Sequence, residues 1–81
     1  MRELLTKSIH TKKQKELCAD LRAAREKLGL TQSQVSKRLG TYKNFVNKYE
    51  NGDRRLDVIE FVAIVKVLGL DGCELLSKVA E

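Results

Sequence analysis

The stretch from Leu30 to Gly52, LTQSQVSKRLGTYKNFVNKYENG, constrains this chain more than any other. Thr31 with Gln34 three residues on forms the Thr-x-x-Gln pattern of a capping box, in which side chain and backbone satisfy each other at a helix start. Val35 and Leu39 follow four apart, on one face of a helix of about two turns. Gly40 stands where a helix ends on a left-handed residue. A second helix is expected to restart near Lys43, with Val46 and Tyr49 inward, and Asn51-Gly52 closes it with a turn signal.

The outward face of that second helix is expected to carry Lys43, Asn44, Phe45, Asn47 and Lys48. Cationic and amide side chains with one aromatic are the chemistry that meets phosphates and base edges in a major groove. Two short helices joined through a glycine-containing turn, the second exposed and polar, predict a helix-turn-helix that binds DNA. Its start is unusual, because Tyr42 occupies the position where Ser, Thr, Asp or Asn would cap. Either Thr41 caps a slightly longer helix, or Tyr42 is kept for another task. That task is a hydrogen bond to a phosphate or packing on Leu39.

The rest of the chain supplies a frame of helices. Thr11 and Gln14 repeat the capping pattern ahead of a first helix over about 12–28, whose stripe is Leu17, Leu21, Ala24 and Leu28, with Cys18 and Arg25 at its flanks. Asp57 with Glu60 and Asp71 with Glu74 open two more. In the fourth helix Val58, Phe61, Val62, Val65 and Leu68 form an apolar stripe that Ile64 and Val67 broaden. Apolarity over more than half a circumference requires burial on two sides, the second side being the fifth helix or another subunit. In the last helix Leu75, Leu76 and Val79 point inward. The sequence has no proline and little alternation of apolar residues, so an all-α fold of five helices over residues 11–81 is expected. Residues 1–10 are expected to form a flexible basic arm reaching around DNA, or a frayed terminus.

Charge is distributed unevenly. The net charge is +5, yet residues 57–81 carry five acidic and two basic side chains, while residues 37–55 carry six basic and two acidic. One preferred basic face suits a polyanion. Lys12, Lys13 and Lys15 oppose the dipole of the first helix, a mild hint of a phosphate contact. The loop arginines Arg54 and Arg55 are placed either to clamp the backbone beside the groove or to keep the surface soluble. Cys18 and Cys73 form no Cys-x-x-Cys pair, so buried or half-buried thiols in a reduced cytoplasmic protein are expected, with no zinc site. No run reaches the ~20 apolar residues that span a bilayer. The lone His10 has no nucleophile or carboxylate partner, so no catalytic residue, cofactor or metal is expected.

From Leu21 to Leu70 the chain resembles the lambda-repressor-like, Cro/repressor-type (XRE-like) helix-turn-helix family. The resemblance rests on Arg25, Gly-Leu-Thr-Gln at 29–32, Leu-Gly at 39–40 and Glu50-Asn51-Gly52. It is especially similar to a bacterial subgroup with Phe-Val-x-Lys-Tyr-Glu-x-Gly-x-Arg-Arg-Leu-Asp-Val-x-Glu-Phe, matched from Phe45 to Phe61. The resemblance implies that Gln32 contacts a phosphate and supports the recognition helix. Lys43, Asn44, Asn47 and Lys48 would face bases or nearby phosphates, and Phe45 a thymine methyl. Asn51, Arg54 and Arg55 would hold the backbone, and Thr41 and Tyr42 complete the set of candidate DNA contacts. Arg25 and Glu50 would form an internal ion pair. The chain departs from the pattern at Gly40-Thr41-Tyr42-Lys43, where the subgroup has Pro-Gln at 42–43. Lysine can donate to guanine O6 and N7 but cannot make an amide's bidentate contact with adenine, which predicts altered base preference.

The function expected is a sequence-specific regulator of transcription, a repressor that occupies a palindromic operator as a homodimer joined through helix four and the C-terminal helix. The alternative is an antitoxin-like or adaptor module whose main partner is another protein.

Overall fold

Five helices and no strand make up the described residues, 12–81, of the computed structural model: α1 (Lys12–Lys27), α2 (Gln32–Leu39), α3 (Phe45–Glu50), α4 (Val58–Leu68) and α5 (Gly72–Ala80). The expected arm over 1–10, His10 and the Thr11 cap lie outside the described residues.

Local chemistry sets the starts of α2 and α4. Thr31 Oγ1 accepts from the Gln34 N–H at 3.0 Å while the Thr31 N–H donates to Gln34 Oε1 at 2.8 Å. Asp57 and Glu60 make the same reciprocal pair at 2.7 and 2.9 Å. Caps of this kind contribute about 1 kcal/mol each. At α5 the Asp71 carboxylate accepts from the Cys73 and Glu74 N–H groups. Helix α2 ends at Gly40 with φ +74°, a left-handed turn that lets the Thr41 N–H return to the Ser36 carbonyl.

Helix α3 corrects the sequence reading. It begins at Phe45 rather than near Lys43, and neither Thr41 nor Tyr42 caps it. Asn44 holds the cap position without a side-chain hydrogen bond. The missing acceptor comes from another helix: Ser36 Oγ, fully buried in α2, accepts from the Val46 N–H at 3.3 Å. One side chain thereby joins the two helices of the motif and satisfies a donor that α3 leaves orphaned.

The core joins Leu21 of α1, Val35 of α2, Phe45, Val46 and Tyr49 of α3, and Phe61, Ile64, Val65 and Leu68 of α4. Each such side chain contributes about 1.5–3 kcal/mol by leaving water. Burial pushes the Tyr49 phenol far above its ordinary range, with the Glu50 carboxylate adding to the shift. Helix α1 buries Cys18, Leu21 and Arg25 and packs Leu17 and Ala24 of the expected stripe half-buried against the core, whereas Leu28 lies beyond the helix end, half exposed. Burial also pushes the Cys18 thiol up, whereas Cys73 is exposed, against the expectation that both thiols are sheltered.

Helix α4 has one buried side only. Val58 is 75% and Val62 42% exposed, where the stripe placed both inward, and Ile59 is 77% exposed. Helix α5 lies across α1 and α4 with Leu75 and Val79 half-buried, a Lys78–Asp20 ion pair at 2.9 Å, and Leu76 turned outward rather than inward. Among the described residues, the second apolar side of α4 is therefore left exposed.

Candidate nucleic-acid interface

Helix α3 is held from behind by a buried ion pair. Arg25 donates from Nε to Glu50 Oε2 at 2.8 Å and from its terminal nitrogen to Oε1 at 3.1 Å, and it also donates to the Leu30 carbonyl at 2.9 Å. The Glu50 side chain is fully buried and that of Arg25 nearly so. The Glu50 hydrogen bond holds the guanidinium pKa above its ordinary value against the opposing effect of burial. The internal pair implied by the resemblance is present and ties α1 to α3.

Gln32, the first residue of α2, reaches the same carboxylate, with Nε2 2.9 Å from Glu50 Oε1. Its oxygen accepts from Asn47 Nδ2 at 3.2 Å, and Asn47 Oδ1 accepts from Asn51 Nδ2 at 3.3 Å. Three of the candidate contacts thus form one chain of amides running from the core to the exposed face of α3. Asn47 and Asn51 are exposed and Gln32 half-buried.

Tyr42, Phe45 and Arg54 form a second cluster. Phe45 is only 5% exposed, with edge-on contacts to Tyr42 at 5.7 Å and to Tyr49 at 5.6 Å between ring centroids. Its expected outward position is corrected, because the helix starts at this residue and the ring turns into the core. Arg54 lies 4.7 Å over the Phe45 centroid and pairs bidentately with Glu60 at 2.8 and 2.6 Å. That pairing raises the guanidinium pKa and holds the Glu60 carboxyl below its usual range. Arg54 is therefore committed to bracing the loop ahead of α4, not left open at the surface. Tyr42 remains half exposed, and Thr41 lies beside Phe45 and Glu60 at the end of α2.

Lys43, Asn44, Lys48 and Arg55 are exposed, and the three cations have no ion pair among the described residues. Lys43 and Asn44 sit in the turn before α3 rather than on it. Because Glu50 and Glu60 turn inward to Arg25 and Arg54, neither neutralises these outward charges. The face presented is basic and amide-rich, the chemistry that suits phosphate oxygens and base edges. Sequence reasoning missed Ser36 as the cap of α3 and Glu60 as the partner of Arg54. A small residue between Val35 and Leu39 is a weak signal for the first, and only three-dimensional proximity reveals the second.

The model of the helix-turn-helix family matches residues 21–75. A propionyl-CoA carboxylase regulator of Cereibacter sphaeroides is 36% identical over 63 residues, which are 78% of this chain and 14% of that relative's length. The solved structure of an XRE-family like protein from Pseudomonas syringae pv. tomato superposes with a TM-score of 0.81 at 43% identity, covering 95% of this chain and 94% of that one.

Proposed function

The chain belongs to the XRE-like helix-turn-helix family, and from that premise we propose that it is a DNA-binding regulator of transcription, a sequence-specific repressor occupying a palindromic operator as a dimer. The observation that carries this reading is the face of α3 and its flanking turns, where Lys43, Lys48 and Arg55 point outward while the neighbouring glutamates are drawn into internal pairs. Lys48 and Arg55 would meet phosphates, and Asn47 and Lys43 base edges. The exposed Val58, Ile59, Val62 and Leu76 of α4 and α5 support a dimer contact there, which would set two recognition helices about 34 Å apart. A second reading places a different protein on that apolar surface, and the same four exposed side chains favour it. Sedimentation of the chain alone separates the two, since a dimer in isolation requires no other partner. No helix among the described residues is long and apolar enough to cross a membrane.

Lys48→Ala and Arg55→Ala test the phosphate contacts. Each substitution is expected to weaken binding to every duplex alike, and each lost contact lowers the slope of log affinity against log salt by about 0.9. Titrations of a fluorescent duplex at several salt concentrations measure both. Unchanged affinity and slope in the double variant would remove this face from DNA binding.

A further inference from the structure

We infer that the buried carboxylate of Glu50 fixes the orientation of the exposed Asn47 amide through Gln32, and that Asn47 so oriented selects adenine in the half-site. The inference rests on the DNA-binding reading above and adds to it a positioning residue and a base.

The argument starts from what a carboxylate can do. An ionised Glu50 is an acceptor only. It already accepts twice from Arg25, and its third contact, at 2.9 Å, is the Gln32 amide. Gln32 must therefore turn its nitrogen toward Glu50, which leaves its oxygen for Asn47. Asn47 must in turn offer its nitrogen, at 3.2 Å, and its own oxygen is left for the Asn51 nitrogen at 3.3 Å. Reversing any one amide would set oxygen against oxygen or nitrogen against nitrogen. The direction of the whole chain follows from the one member that cannot donate.

Asn47 is the member of this chain that lies on the exposed face of α3. After its two bonds it keeps one N–H and one oxygen lone pair, side by side and in a set order. Adenine offers the complement in the major groove, with N7 as acceptor and N6 as donor, and asparagine is the residue that pairs with both. A free asparagine amide rotates and presents either order. Here the rotation is stopped before DNA arrives, which lowers the ordering cost of the contact. Gln32 acts through Asn47 and is a positioning residue.

Gln32→Met tests the relay, since methionine keeps the helix and leaves both Arg25 bonds to Glu50 in place. In the free protein, the side-chain NH2 signals of Asn47 and Asn51 in a ¹H–¹⁵N spectrum should move toward the shifts of an unbonded asparagine and exchange faster with water in this variant. On DNA, the duplex selected by the unmodified chain and its three single-base variants give the preference at each position. Asn47→Ala identifies the position read by Asn47. There the unmodified chain should prefer adenine, and Gln32→Met should lower that preference roughly 3- to 10-fold. A selected duplex whose adenine preference is the same in Gln32→Met overturns the relay and leaves DNA binding standing. Another base at the Asn47 position, or no position that responds to Asn47→Ala, overturns the assignment. A chain that selects no duplex overturns this inference together with the reading beneath it.

Discussion

Glu50→Ala is expected to destabilise the protein by about 3–5 kcal/mol, because it leaves the Arg25 guanidinium buried and unpaired. Small domains have about 5–15 kcal/mol in total, and one of this length sits toward the lower end. Much of the variant should therefore be unfolded near 37 °C. The loss has three parts in the structure: the bidentate bond to Arg25, the tie from α1 to α3, and the Gln32 anchor from α2. Urea denaturation with equal slopes measures the change directly. Arg25→Met should fall in the same range, since it strands the carboxylate instead. The double variant Arg25→Met/Glu50→Leu should recover most of the loss, because a buried pair is worth far less than the cost of breaking it. A loss below about 1 kcal/mol in Glu50→Ala would mean that the pair is hydrated and that α3 is held by its apolar side chains alone.

Phe45→Ala is expected to cost a similar 3–5 kcal/mol through the cavity it opens. The ring also contacts Tyr49 and Tyr42 edge-on, worth about 0.5–1.5 kcal/mol a pair, and lies under the Arg54 cation. Phe45→Leu should keep the fold and the base preference while lowering the melting temperature. If the ring met a thymine methyl, as its place in the sequence suggests, the outcome would be reversed. Phe45→Ala would then stay folded, and Phe45→Leu would shift preference at a thymine. Thermal melts paired with competition binding on single-base variants separate the two.

These two residues also show which parts of the molecule are legible in sequence. The capping pairs Thr31–Gln34 and Asp57–Glu60 lie three residues apart, so their chemistry is local and the sequence alone predicts them. The same holds for Gly40, the left-handed glycine that ends α2. The Arg25–Glu50 pair spans 25 positions and was expected only through the family resemblance. Ser36 was invisible for a related reason, because it caps a helix ten residues away that has no cap of its own. Without that information α3 reads as starting near Lys43, which turns Phe45 outward. Arg54 reads as a surface cation for want of Glu60, its partner across a loop. Val58, Val62 and Leu76 fail in the opposite direction. Apolar residues at helical spacing read as buried, yet among the described residues these three are exposed.

Asn47 carries the functional lesson. Its place on the outward face was legible, since helical spacing sets it opposite Val46 and Tyr49. Its connection to Glu50 through Gln32 was not, because three amides must meet in space before the carboxylate can order them.

The most direct test of the central claim is selection from a random double-stranded DNA pool by the unmodified chain at about physiological salt. A dimeric repressor working through α3 should enrich a palindrome whose half-site centres lie about one helical turn apart. A pool that stays unenriched, with binding only at low salt, would reduce the basic face to nonspecific attraction and contradict the account.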